Sequence, residues 1–193
     1  MDTPSTRTQT RLSGRYLRAT AGSRSLARGL ELLRSFRLGT GVLTNAELAQ
    51  RSGLPRPTVS RLTRSLVDTG FLVYDHDQRG YRLGAIHLSL ALSFRAAQPA
   101  LDTALPLMRD LAEKQRINVG IAVLDGTEMV YLDSVRFSRA GIFRRLVPGS
   151  RTPAARTALG RAYLSSLPAI DQRLRLEELA REHGPDWKQL KHE

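Results

Sequence analysis

The sequence predicts an α+β chain built in two parts, and three observations predict it. Short helical periods punctuated by glycine fill residues 23 to 70 of the 193-residue chain, and a strand pair follows them. In the second half, two apolar strand-like runs flank Asp125-Gly126, with helical patterns on either side. Charge is divided unevenly. Residues 1–95 carry 15 Arg against 6 acids (+9), whereas 96–193 carry 15 Arg or Lys against 12 acids (+3). This asymmetry predicts that the first half meets a polyanion and the second does not.

Residues 1–22 lack a sustained apolar period and are expected to form a flexible basic arm. From Ser23, Leu26, Leu30, Leu33 and Phe36 recur at three- and four-residue steps, which predicts a helix burying that stripe and ending at Gly39 and Gly41. Thr44 and Glu47 then have the spacing of a capping box, and Leu43 can staple against Leu48, so a second helix begins there and stops at Gly53. A third helix starts near Pro55 or Pro57, where proline is tolerated. Val59, Leu62 and Leu66 are its buried stripe, and Gly70 is its stop. "FLVYD" and "GYRLG" flank a charged turn and predict a hairpin.

Residues 85–97 read as a helix with Ile86, Leu88, Leu90, Leu92 and Phe94 spread around its circumference. A helix so apolar lies deep in a core or packs against a copy of itself. The next helix, 100–116, directs Leu101, Leu105, Met108, Leu111 and Ala112 inward. "GIFRRLVPGSR" is expected as a third strand after the 119–135 hairpin, closed by a Pro148-Gly149 turn. Helices over 154–166 and 169–182 follow. The predicted domains are an arm (1–22), a three-helix-and-hairpin domain (23–84), a linker helix (85–98) and a C-terminal α/β domain (99–193).

Three short helices with a tight turn before the third, then a hairpin, is the order of a winged helix-turn-helix. There the second helix props the third into the major groove and the hairpin extends the contact sideways. Arg56, Thr58, Ser60, Arg61 and Arg64 are the candidate DNA contacts on the third helix, and Arg79 is the candidate at the wing tip. Arg61 or Arg64 can take guanine O6 and N7 with two hydrogen bonds. Thr58 and Ser60 suit phosphate or mixed contacts. The competing reading is a solvated basic face on a helical bundle. The capping box, short second helix, basic third helix and wing in sequence favour double-stranded DNA.

Taken in order, "SLARGLELL" (25–33), "LTNAELAQRSGLPRPTVSRLTRSLVDTGFL" (43–72), "YRLG" (81–84), "VLDGTEMVYLDSV" and "PGSRTPAARTALGRAYLS" resemble the IclR family of bacterial transcriptional regulators. The resemblance runs from about Arg24 to Leu167. It implies a homodimer, or a tetramer, held partly by the N-terminal domains and linker helix. It also implies a GAF-like C-terminal domain that binds a small effector, often an organic acid. The family pattern usually carries a histidine after Pro153, where this chain has Ala155, and a small residue where Arg156 stands. The resemblance further implies sheet strands beyond residue 193, so the effector domain is expected to be incomplete. Gly149, Ser150, Arg151, Thr157 and Gly160 are the candidate effector contacts, with backbone N–H groups and Arg151 receiving a carboxylate. Gly149 and Gly160 also fit a purely structural reading, as a turn and a close packing point.

No apolar run reaches the ~18 residues needed to span a bilayer, and no signal peptide opens the chain, so a cytoplasmic protein is expected. Cysteine is absent, which excludes disulfides and Cys-ligated zinc. His76, His87, His183 and His192 are scattered, and no metal or other cofactor is expected. An enzyme acting on small acids is the remote alternative: Asp125, Glu128 and Asp133 lie around the hairpin, but no histidine or metal pairs with them. A nearer alternative is a DNA-binding regulator that has lost ligand control and acts constitutively or through mixed dimers.

Overall fold

Local capping chemistry sets the start of the first two helices. In the computed structural model, which describes residues 22–137 and 146–192, α1 (Arg24–Arg34) begins where the Ser23 side chain accepts from the Leu26 N–H. The Thr44 hydroxyl and the Glu47 carboxylate close a reciprocal capping box at the start of α2 (Asn45–Ser52), and Gly53 ends it at φ 68°. Pro55 precedes α3 (Arg56–Asp68), which has proline in its first turn and no side-chain cap. Strands β1 (Leu72–Asp75) and β2 (Gly80–Leu83) pair antiparallel as the wing.

A bridge not foreseen from the sequence joins Leu43 to Tyr81. The Leu43 N–H donates to the Tyr81 carbonyl at 2.9 Å, and the Tyr81 N–H donates back at 2.8 Å. It ties the wing to the segment before α2. Gly80 is required at this crossing, because a Cβ there would meet Val42 Cγ1 at 2.5 Å and the Leu43 carbonyl oxygen at 2.9 Å.

Leu32, Leu43, Leu48, Val59 and Leu62 form the N-terminal core, with Phe36, Ala49, Leu54, Leu66 and Tyr81 against it. The predicted α3 stripe is this core face. Of the predicted α1 stripe, Phe36 packs against this core but Leu26 and Leu30 do not. Gly29 and Leu32 are buried, whereas Leu26 and Leu30 are 63% and 50% exposed. Leucines occur around much of α1, and contact with α3 selects the Gly29–Leu32–Phe36 side instead.

Helix α4 (Ile86–Ala96) has no buried residue, so within this chain it is not a core helix. The described residues fall into two compact units that divide between Ser89 and Leu90, inside this helix. In the second unit, α5 (Pro99–Gln115) buries Leu101, Met108 and Ala112, while Leu111, expected inward, is exposed. Strands β3 (Val119–Asp125) and β4 (Glu128–Val135) form the predicted hairpin, with a register shift between Ile121 and Ala122.

The third strand is β5 (Arg151–Pro153), which pairs antiparallel with β4 at Glu128–Val130 and gives the sheet order β3-β4-β5. It therefore follows the Pro148-Gly149 turn, later than expected. Residues 141–145 of the expected strand and residues 1–21 of the expected arm lie outside the described residues. Helices α6 (Ala158–Ser166), α7 (Ala169–His183) and α8 (Trp187–His192) complete the chain. Ala155, Leu164 and Leu179 form a small core there, with Leu167, Leu176 and Trp187 packed on it.

Candidate nucleic-acid interface and effector domain

Helix α3 buries Val59, Leu62 and Thr63 and turns its basic side outward. Arg56, Arg61 and Arg64 are exposed, and none of them has an ion-pair partner among the described residues. Their charges are therefore not neutralised internally. Because Pro55 caps nothing, the first turn of α3 also leaves backbone N–H groups without a side-chain acceptor. Thr58 is half-buried in that turn.

Ser60 is exposed but already engaged. Its Oγ donates to the Arg56 carbonyl at 3.1 Å and accepts from Asn45 Nδ2 at 2.8 Å. At the wing, Arg79 is exposed and holds φ at +48°, the left-handed region. The turn before it is braced by a hydrogen bond from the Gln78 N–H to Asp75 Oδ1 (2.9 Å). Tyr74 packs edge-on against His76 and Tyr81, so the wing is aromatic as well as basic.

In the second unit the five candidate effector residues all have intrachain partners. Gly149, at φ +84°, donates to the Tyr131 carbonyl at 2.8 Å. Ser150 is buried, and its Oγ accepts from the Val147 N–H at 2.9 Å. Thr157 caps α6, donating to the Pro153 carbonyl and accepting from the Gly160 N–H. Gly160 lies against the Ala154 backbone with no room for a Cβ.

Arg151 Nη2 meets Asp125 Oδ2 at 2.6 Å, and its Nε meets Glu128 Oε2 at 2.7 Å. Partial burial works against its charge, but the hydrogen bonds to both carboxylates outweigh burial and hold the guanidinium above its ordinary value. The sequence places Asp125 and Glu128 around the hairpin with no histidine or metal to pair with them, and Arg151 was not anticipated as their partner. Their register offered a signal, because they are cross-strand partners over a two-residue turn, and two acids placed so call for a cation. Beside Arg151, Thr152 Oγ1 is buried with no hydrogen-bond partner among the described residues. A groove of about 440 Å³ along α7, lined by Gln172, Arg173, Leu176, Glu177, Ala180 and Trp187 among others, shares no residue with this loop. No cluster of three or more metal-ligating side chains occurs among the described residues.

A capped helical pair carrying an outward basic helix and a wing defines a winged helix-turn-helix domain, here preceding an α/β domain. Residues 25–76 match the IclR helix-turn-helix domain, and residues 97–186 match the C-terminal domain of bacterial IclR transcriptional regulators. The chain belongs to the IclR family.

Among its curated relatives, the HTH-type transcriptional regulator TsaQ1/TsaQ2 of Comamonas testosteroni is 35% identical over 84% of this chain and 59% of its own length. The transcriptional repressor IclR of Escherichia coli (strain K12) is 31% identical over 77% of this chain and 55% of its own length. The chain thus spans a little over half the length of these relatives. Of the solved structures, an IclR family transcriptional regulator from Brucella abortus matches with a TM-score of 0.75 and 36% identity, covering 89% of this chain and 64% of the other. An IclR homolog from Microbacterium hydrocarbonoxydans, complexed with 4-hydroxybenzoate, matches with a TM-score of 0.62 and 25% identity over 79% of this chain and 63% of the other.

Proposed function

We propose that this chain binds operator DNA sequence-specifically through α3 and the wing, as a homodimer, and that a small organic acid modulates the binding through the second domain. The observation that carries this reading is the outward, unneutralised trio Arg56, Arg61 and Arg64 on a helix whose opposite face is locked into a core. Arg61 and Arg64 read base edges, Arg56 and Thr58 contact phosphate, and Arg79 contacts phosphate or the minor groove at the wing.

The exposed apolar surface of α4 supports a dimer, with a tetramer as the larger form. Leu88, Leu90, Leu92 and Phe94 are each at least half exposed, an arrangement that a second copy would cover. The reading makes the protein a cytoplasmic regulator and not an enzyme. No helix among the described residues is long and apolar enough to cross a membrane.

The test is fluorescence anisotropy on a site selected from random duplexes, with bulk DNA as competitor. Arg61→Ala and Arg64→Ala should each weaken the selected site by about 1–3 kcal/mol, roughly five- to 150-fold, and weaken bulk DNA far less. Equal losses on both would reduce these residues to phosphate clamps, and a parent protein with no preferred site would end the reading.

For the effector, the loop from Gly149 to Gly160 is the proposed site. The orphaned Thr152 hydroxyl supports it, because a buried polar group without a partner costs about 1–3 kcal/mol until something meets it. A second reading, regulation without ligand control, is favoured by the neutralisation of Arg151. Thermal shifts with a panel of organic acids that includes 4-hydroxybenzoate separate the two. A ligand at 100 times its dissociation constant stabilises by about 2.7 kcal/mol, and no shift across the panel supports the ligand-blind version.

A further inference from the structure

Helix-turn-helix reading requires the third helix to be held at a fixed angle on the second. Here the apolar contacts between them come from Leu48, Val59 and Leu62. One side-chain hydrogen bond joins α2 to α3 among the described residues: Asn45 Nδ2 to Ser60 Oγ, at 2.8 Å.

Asn45 is not needed for capping, because Thr44 and Glu47 already perform that task for α2. Its Oδ1 is buried and unpartnered, so the amide offers only its Nδ2 edge, and that edge goes to Ser60. Ser60 has a single hydroxyl proton, and that proton is given to the Arg56 carbonyl at 3.1 Å. Phosphate oxygens, guanine O6 and guanine N7 are all acceptors, and a serine whose proton is already used cannot donate to them.

We infer that Asn45 and Ser60 are positioning residues for DNA reading: Asn45 locks the Ser60 hydroxyl, which locks the first turn of α3 and so fixes where Arg56, Arg61 and Arg64 stand. This inference rests on the DNA-binding function proposed above and revises the direct contact expected of Ser60. Asn45 becomes a determinant of specificity that touches no base.

The experiment is a double-mutant cycle on the full chain, read as affinity for the selected duplex and for bulk duplex at one salt concentration. Asn45→Ala should weaken the selected site about five- to tenfold and leave bulk affinity within about twofold, since the number of phosphate contacts is unchanged. Ser60→Ala should do the same, and the double variant should lose no more than either single. Melting temperatures of all three should stay close to that of the parent, because the bond lies at an exposed edge. Additive losses in the cycle, or equal weakening on selected and bulk DNA, would make each residue an independent DNA contact and overturn the inference. If the parent discriminates and both variants match it, the inference fails while the function stands. If the parent itself shows no preferred duplex, the function fails and the inference with it.

Discussion

Replacing Arg151 by Met, which keeps an unbranched apolar stem and removes the charged head, tests whether this residue holds the sheet together or waits for a ligand. The guanidinium makes two charge-assisted hydrogen bonds, at 2.6 Å to Asp125 and 2.7 Å to Glu128. Bonds to charged groups are worth about 1.5–3 kcal/mol each. The three side chains are 22–37% exposed, so solvent screening moves the sum toward its lower end. Removing the cation also leaves two carboxylates directly opposite each other across the hairpin, a further penalty of about 0.2–1 kcal/mol.

Arg151→Met should therefore destabilise the C-terminal unit by about 2–4 kcal/mol. At roughly 4–8 °C per kcal/mol for a domain of this size, its calorimetric transition falls by on the order of 10–30 °C. Adding Asp125→Asn and Glu128→Gln should recover much of the loss, because a neutral trio has no stranded charge. The reasoning is refuted if Arg151→Met, without any added acid, melts within about 2 °C of the parent. If that variant also lost an organic-acid response, Arg151 would be a ligand residue as the sequence implied.

Three further outcomes are expected. Thr44→Ala should cost about 1 kcal/mol in the N-terminal unit. The Thr44 backbone N–H, then its hydroxyl, hold the Glu47 carboxyl below its ordinary value, so the capping box stabilises above the unfolded-state value and is lost as pH falls through the folded one; urea melts from pH 6 to 3 should show a shallower acid limb in Thr44→Ala. Gly160→Ala forces a Cβ onto the Ala154 carbonyl and should destabilise by about 1–3 kcal/mol in a chemical melt. Leu88→Ser with Leu92→Ser should convert a dimer to a folded monomer by light scattering with little change in helix content, since neither side chain is buried within the chain.

Elements whose signals are local were legible in the sequence. The capping box at Thr44, the α3 stripe and the Asp125–Glu128 hairpin all depend on successive steps of four positions or fewer, and all lie where the sequence put them. Elements set by long-range choice were not. In α1, periodicity permits more than one buried face among Leu26, Leu30, Leu32 and Leu33, and only the position of α3 selects Leu32. Likewise β5 is three residues long and exists because β4 accepts it at Glu128–Val130, a pairing that no three-residue window announces.

The candidate DNA surface shows the same division at the level of single side chains. Periodicity separates the face of α3 that faces the core from the face that does not, so Arg56, Ser60, Arg61 and Arg64 were all found as a set. Exposure cannot sort that set into residues that contact a ligand and residues that hold others in place. The sorting depends on donors already committed: Ser60 gives its proton to Arg56 and is held by Asn45, fifteen positions away, whereas Arg61 and Arg64 keep all their donors. Arg151 is sorted in the same way by Asp125 and Glu128. A polar side chain is a candidate for recognition only to the extent that the fold leaves its hydrogen-bonding capacity unspent.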